Sequence, residues 1–366
     1  MIVKPAIVVV TYNRIYSLKR LLNSIANAYY EEKNIPLIIS IDYSDVNKEV
    51  LEIAEGFKWL YGEKIIIQHK ENIGLRKHIV ECGNYSRNYG AVIILEDDLV
   101  VAPNFYNYAS KAQRYYQDDD RIAGVALYSH EWNGYERSSF SPVVKNGDVY
   151  FGQFSITWGQ CWTEKQWNSF EQWYISHPKL KKQRNMPEQI YNWSEKSWGK
   201  YFVYYIIESN KYYVIPYIAL STCFSEVGEH ATNASSDHQV RLNFGIQEYR
   251  FLAFEEGVHY DIFFENIDLI QELSKYTNGN KKICVDLYGN KTLIENKCDY
   301  VLTMNRMNAK VIKEFAVKKL KEQTSFVSAK RLKEMLVLCK DIDYKIKSGN
   351  LELITGIYNL VFSILV

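Results

Sequence analysis

The cysteines of this chain lack metal or redox spacing. Cys82, Cys161, Cys223, Cys284, Cys298 and Cys339 include no CxxC pair and no zinc-like pattern, so reduced and mostly buried thiols are expected. An excess of one charge sign is missing too. Lys and Arg total 44 against 43 Asp and Glu, a formal net charge of +1, which lends no support to a nucleic-acid partner. No apolar run approaches the length of a transmembrane helix. The first such run, residues 7–10, is too short for a secretory signal and passes straight into Thr11-Tyr-Asn-Arg14, so a cytoplasmic location is expected. No internal repeat is visible.

What is present suits a soluble globular protein. Hydrophobic residues make up 47% and charged residues 24% of 366 positions, enough for one large domain or a domain with a smaller appendage. Aromatics are plentiful, with 30 Tyr, 16 Phe and 8 Trp. They line a cleft or simply fill the core, and composition leaves both open.

Short apolar runs alternate with helical periodicity along the first part of the chain. Residues 6–10, 37–41, 64–68 and 91–95 read as buried strands. Between them, Ser17 is a candidate N-cap for a helix carrying Leu18, Leu21, Leu22 and Ile25. Residues 46–60 are helical by period, and another helix passes through Lys77, Ile79 and Val80. This alternation predicts a mostly parallel α/β sheet with right-handed crossovers. Pro103 could open a helix with Phe105, Tyr108 and Ala109. Residues 121–175 change character and suggest a part that closes over a ligand, while 228–236 read as a mobile loop. Later, 282–288 and 300–304 suggest strands, and 305–347 are helical and lysine-rich. The apolar end, 351–366, packs against the body or makes a peripheral membrane or partner contact, on the inner face of the membrane in the former case. The expected division is a catalytic domain over 1–240 and an extension over 241–366.

Glu96, Asp97 and Asp98 directly follow the run 91–95. Acidic clusters of this kind occur as solvated turns or as charges at a helix start. At the end of a buried strand, however, three carboxylates repel one another and lose hydration unless a cation or donors compensate them. A divalent metal at the carboxyl edge of a parallel sheet does this, and it would face a phosphate. The chemistry indicated is that of nucleotides or nucleotide sugars. Asp98 is the expected metal ligand, with Glu96 and Asp97 nearer to sugar or ribose hydroxyls.

The strand with Thr11-Tyr-Asn-Arg14, the strand ending at Asp42, Asn72-Ile-Gly74 and the Glu-Asp-Asp-Leu99 segment together resemble a GT-A-fold glycosyltransferase. The stretch Glu96-Asp-Asp-Leu-Val-Val-Ala-Pro-Asn-Phe-Tyr106 is most similar to the N-acetylglucosaminyltransferase I type. Bacterial capsule and surface-polysaccharide transferases share the general pattern, over residues 5–235 of this chain. The resemblance implies a Rossmann-like nucleotide-diphospho-sugar transferase fold with a central, mostly parallel sheet and a helical C-terminal extension. It places Thr11, Asn13 and Arg14 at the nucleotide and Asp42 at uracil or ribose. Arg76 or Lys77 approaches the base or diphosphate, unless either is an ordinary solvated helix residue. Gly74 permits close approach or marks a turn.

Trp158-Gly159-Gln160-Cys161-Trp162 resembles the segment lining the sugar and acceptor pocket. A core corner is the alternative, with Trp162, Trp167 and Phe170 on one helix face. Gly228-Glu229-His230 matches a loop that covers the donor, with His230 toward metal or diphosphate. Asp237, His238 and Ser225 are lesser candidates there. An acidic pair beside tryptophan is the family's base segment, whereas here Trp198 is followed by Gly199 and Lys200. The base therefore falls to Glu195, then Glu164 and Glu131, with Glu188 also open. The implied reaction is inverting transfer from a UDP-sugar, UDP-N-acetylglucosamine by nearest resemblance, to a saccharide or glycoconjugate acceptor, with Mn²⁺ or Mg²⁺. A role in bacterial capsule, lipopolysaccharide or glycoprotein assembly follows from the same resemblance. The alternatives are a sugar nucleotidyltransferase, for which Thr11-Tyr-Asn-Arg14 supplies little of the needed glycine-rich basic loop, and a catalytically inactive carbohydrate-binding protein.

Overall fold

A computed structural model describes residues 4–183, 185–224, 236, 238–277, 281–291, 298–304 and 310–313. The chain divides into two compact units, Met1–Asn305 and Arg306–Val366. The expected helical and apolar segments over 305–347 and 351–366 lie outside the described residues, apart from 310–313. Among the described residues, no helix is long and apolar enough to cross a membrane.

The first unit starts with β1 (Ala6–Thr11), α1 (Ile15–Ala26), β2 (Leu37–Ile41), α2 (Lys48–Gly56), β3 (Lys64–Gln68), α3 (Leu75–Gly83), α4 (Ser86–Tyr89) and β4 (Ala91–Glu96). Then come β5 (Leu99–Val101), α5 (Phe105–Tyr116), β6 (Ile122–Ala126), the short β7 (Trp132–Asn133) and β8 (Ser138–Ser139), β9 (Val149–Gly152) and β10 (Gln160–Thr163). The remainder is α6 (Glu164–Ser176), α7 (Glu188–Tyr191), α8 (Trp198–Glu208), β11 (Tyr212–Pro216), β12 (Ser221–Cys223), β13 (His259–Tyr260), α9 (Leu269–Ser274), β14 (Ile283–Asp286) and β15 (Tyr300–Thr303).

Nine strands form the central sheet in the order β13-β9-β11-β6-β10-β4-β1-β2-β3. β1 to β4, β6 and β11 run one way, and β10, β9 and β13 run against them. Both faces are covered, which explains why β1, β2 and β4 are continuous apolar runs rather than alternating ones. On one face Ile7, Val9, Ile93 and Leu95 pack on α1, α2 and α5. On the other, Val8, Val92 and Ile94 meet α3, α6 and α8.

Several local expectations shift. α1 begins at Ile15, so Ser17 is a buried position inside the helix rather than its cap. The period over 46–60 yields only Lys48–Gly56. Residues 259–260 join the main sheet beside β9, so the sheet continues past residue 240. Of the cysteines, Cys82, Cys161 and Cys223 are buried and outside any disulfide, but Cys284 and Cys298 form a disulfide. That corrects the expectation of reduced thiols throughout. The pair is brought together by the parallel partnership of β14 and β15, a tertiary contact that cysteine spacing does not encode. Cys339 lies outside the described residues.

Under the carboxyl end of β2, Ser40 Oγ and His78 Nε2 lie 2.7 Å apart, with His78 2% exposed. Burial, helped by His69, lowers the His78 imidazole to about 4, against a weaker opposing pull from Asp42. The folded value lies below the unfolded one, so the stabilisation is complete above the unfolded value of about 6.5 and is lost as pH falls toward 4. Glu265, raised to about 7 by burial, acts oppositely, so the wild-type curve alone is a poor readout. His78→Gln isolates the effect. Between pH 7 and 4.5, urea unfolding of wild type should lose on the order of 2 kcal/mol more than the variant does.

Candidate active site

Strand register builds one row of side chains across the carboxyl edge of the sheet. Val10 is level with Ser40 on one side and with Glu96 on the other. Gln160 is level with Ile94 and Ala126. Beyond Gly159, the Tyr128 and Trp158 rings lie 4.6 Å apart. Above Glu96 sits the first residue of α8, whose Trp198 Nε1 donates to Glu96 Oε1 at 3.2 Å. Burial and the neighbouring Asp98 raise the Glu96 carboxyl to about 8, against the Trp198 N–H and Arg14.

The sheet's other face carries the rest of the triplet. Thr11 Oγ1 donates to Asp97 Oδ2 at 2.8 Å, and the Arg14 guanidinium donates to Asp97 Oδ1 and, at 3.3 Å, to Asp98 Oδ2. Burial raises the Asp97 carboxyl, opposed chiefly by Arg14. Burial also pulls on Arg14, but Asp97 and Asp98 outweigh it and hold the guanidinium above its ordinary value. Asp97 is 3% exposed and Asp98 19% by side chain. Asp98 is therefore more open to solvent than Asp97, and Glu96 is partly exposed as well. Asn13 is exposed in the bend before α1.

The Asp42 carboxylate accepts from backbone amides. Its Oδ1 accepts from Tyr43 N and Ile73 N, and its Oδ2 from Gly74 N at 3.0 Å. It is 3% exposed. The carboxylate thus shapes the Asn72-Ile73-Gly74 turn that starts α3, where Gly74 sits at φ 76°, a conformation favouring glycine. Asp42→Ala strands three amide donors, and urea unfolding should show a loss of roughly 2–4 kcal/mol.

Arg76 leaves the α3 surface to bind the turn before α8. Its Nη1 donates to the Glu195 carbonyl at 2.6 Å, and the guanidinium lies 4.7 Å over the Tyr201 ring. Lys77 is a solvated helix residue, 62% exposed and 3.8 Å from Glu81. The Glu195 carboxylate is clasped by Lys200 Nζ at 2.5 Å and Tyr201 OH at 3.0 Å. Those contacts, Lys200 first, hold it below the usual carboxylate range. Lys200 is itself 2% exposed.

The other carboxylates separate by direction. Because β10 runs antiparallel to β4, the chain after it returns to the amino edge of the sheet. Glu164 N bonds the Gly90 carbonyl there, at the opposite end of β4 from the triplet, so Glu164 is not brought to the site. Glu131 leaves the carboxyl edge of β6 and pairs with Arg241 at 2.9 Å. Glu188 pairs with Lys182 at the surface.

Gly159 has φ 95°, and a Cβ there would meet Ser221 Oγ at 3.0 Å, so the position requires glycine for backbone reasons. Trp162 is fully buried against Trp167, Phe202 and Trp198, the core corner that its spacing also allowed. Trp158 remains half-buried at the edge, with the His238 ring stacked on it at 4.5 Å. Ser225, Gly228, Glu229, His230 and Asp237 lie outside the described residues. Sequence reasoning missed the Trp198–Glu96 bond, the Lys200 clasp on Glu195 and the His238 stack, since each joins distant segments.

Residues 6–184, just under half of the chain, match the family model for glycosyl transferase family 2. No curated protein matches the sequence. Among solved structures, the chain is similar to S. aureus TarS 1-349 in complex with UDP-GlcNAc, at 12% identity, 62% of this chain, 60% of that one and a TM-score of 0.41. It is also similar to GalNAc-T7 with UDP, GalNAc and Mn²⁺, at 12% identity, 58% and 42% coverage and a TM-score of 0.40. A third is the mannosyltransferase PcManGT from Pyrobaculum calidifontis with GDP-Man and Mn²⁺, at 12% identity, 46% of each chain and 0.31. The chain spans about three fifths of TarS 1-349.

Proposed function

We propose that this chain, whose residues 6–184 match the family 2 model, is a glycosyltransferase of GT-A fold that moves a sugar from a UDP-sugar onto a hydroxyl of a saccharide or glycoconjugate, with inversion. The observation that carries the reading is the triplet Glu96-Asp97-Asp98 at the carboxyl edge of β4, with Asp97 and Asp98 paired to Arg14 and Glu96 bonded to Trp198. UDP-N-acetylglucosamine is the donor favoured by the resemblance of the 96–106 stretch.

The donor set fits Mn²⁺ or Mg²⁺. Burial, and after it the neighbouring Asp98, raises the Glu96 carboxyl to about 8, and Asp97 and Asp98 lie against Arg14. Among the described residues no three His, Cys, Asp or Glu groups form a complete metal cage. Asp98 would hold the ion, with His230 as a second candidate. When bound, the ion would offset charge developing on the UDP leaving group.

The protein's own residues do the rest. Arg14 presents a fixed donor fork beside the diphosphate position. Asp42 acts through the Ile73–Gly74 turn, shaping the nucleotide edge. Because the Glu195 carboxylate neutralises buried Lys200, the reading favours Glu131, in the segment after β6 and paired with Arg241, as the base. Calorimetric titration of UDP and UDP-N-acetylglucosamine with and without Mn²⁺ tests the reading. Metal-dependent binding is the expected result, and binding indifferent to metal removes the bridged-diphosphate arrangement.

A further inference from the structure

The geometry points to Gln160 as the residue that reads the sugar of the donor and sets which sugar the site accepts. This rests on the function proposed above. Gln160 is 0% exposed, yet neither its amide oxygen nor its amide nitrogen has a hydrogen-bond partner among the described residues. No other buried side chain there leaves both atoms of an amide unpaired. Such a group bears its full desolvation cost in the resting protein, and an apolar side chain of similar volume would fill the place at less cost. The amide therefore has a use outside the resting fold.

Its position indicates which use. Alternation along β10 places Gln160 on the same face as Trp162, level with Ile94 and Ala126. Glu96 follows Ile94 two positions on along β4, so Gln160 lies one step below the triplet, and Trp158 lies two residues away along the chain, across Gly159. Trp158 supplies a flat ring there. In the ligand-free chain the His238 ring lies on it at 4.5 Å and 30°, where the C–H face of a pyranose would stack. With His238 displaced, a sugar on Trp158 turns a hydroxyl or acetamido substituent toward Gln160, whose two donors and one acceptor match such a group. The ligand class is a pyranosyl nucleoside diphosphate carrying a hydrogen-bonding substituent beside the anomeric centre.

The test compares wild type, Gln160→Met and Gln160→Asn by calorimetry with UDP, UDP-glucose, UDP-galactose, UDP-N-acetylglucosamine and UDP-N-acetylgalactosamine, in Mn²⁺. In Gln160→Met the spread between the tightest and weakest sugar should shrink at least ~10-fold. UDP alone should bind as before, and the ligand-free melting temperature should not fall. Gln160→Asn, with the amide drawn back by one methylene, should shift the ratios without changing UDP binding, and it serves if the methionine variant does not fold. Unaltered sugar ratios, or a lower melting temperature accompanied by weaker UDP binding, overturn the assignment and make Gln160 structural. Altered selectivity toward acceptors with donor ratios unchanged also overturns it. If wild type binds neither UDP nor any donor, the reading of the whole site falls; UDP binding with unaltered ratios removes only this inference.

Discussion

Asp98→Ala is expected to abolish Mn²⁺-dependent binding of UDP while leaving the fold intact. Asp98 is more exposed than Asp97, 19% against 3%, and among the described residues its side chain pairs with the guanidinium of Arg14. Its removal leaves Asp97 bound to Thr11 and Arg14, so nothing buried is orphaned. Loss of a group supporting a metal ligand costs 10–100-fold in metal affinity, and loss of a ligand costs no less, so a drop of roughly 100-fold or more is the scale. Asp97→Asn is the contrasting case. It removes the main counter-charge of a guanidinium that burial already penalises, and on the order of 2–3 kcal/mol of stability should go with it. Calorimetry and urea unfolding on both variants read the two effects separately. Equal loss of UDP binding in both, with equal loss of stability, would falsify the division of labour between these neighbours.

Glu131→Gln is expected to lower turnover by ~10²–10⁴-fold, the range for a general base, with UDP binding unchanged. Glu195→Gln is expected to act on stability instead. Lys200 is 2% exposed, and Glu195 supplies its counter-charge. Breaking a fully buried pair costs ~3–5 kcal/mol, but the Glu195 side chain is 62% exposed, which reduces the expected loss to ~1–2 kcal/mol. Release of UDP in the presence of an acceptor, alongside thermal melts, separates the two. Should Glu195→Gln stop turnover while melting normally, the base returns to Glu195 and Glu131 is only the partner of Arg241.

The parallel half of the sheet was legible because its information is local. Residues 6–10, 37–41 and 91–95 are buried on both faces and carry it as largely apolar, β-branched runs, while 64–68 forms the partly exposed edge strand. The triplet was legible for the same reason, since a strand end followed at once by three acids is visible in six letters. Asp42 was found as a position, but not its partners. Its three amide partners include Ile73 and Gly74, about thirty positions away, and no periodicity records that contact.

The sequence by itself determined where charge must be compensated and which segments must be buried, because hydration and side-chain shape act residue by residue. Only the tertiary structure decided which distant groups share the site. β10 inserts antiparallel between β4 and β6; that single reversal carries Glu164 to the far end of the sheet and brings Gln160 to one step below Glu96. The same holds for the Trp198 bond to Glu96, the Lys200 clasp and the Cys284–Cys298 bridge. Strand direction and partner choice are set by the packing of the whole sheet, and a local apolar run is compatible with either direction.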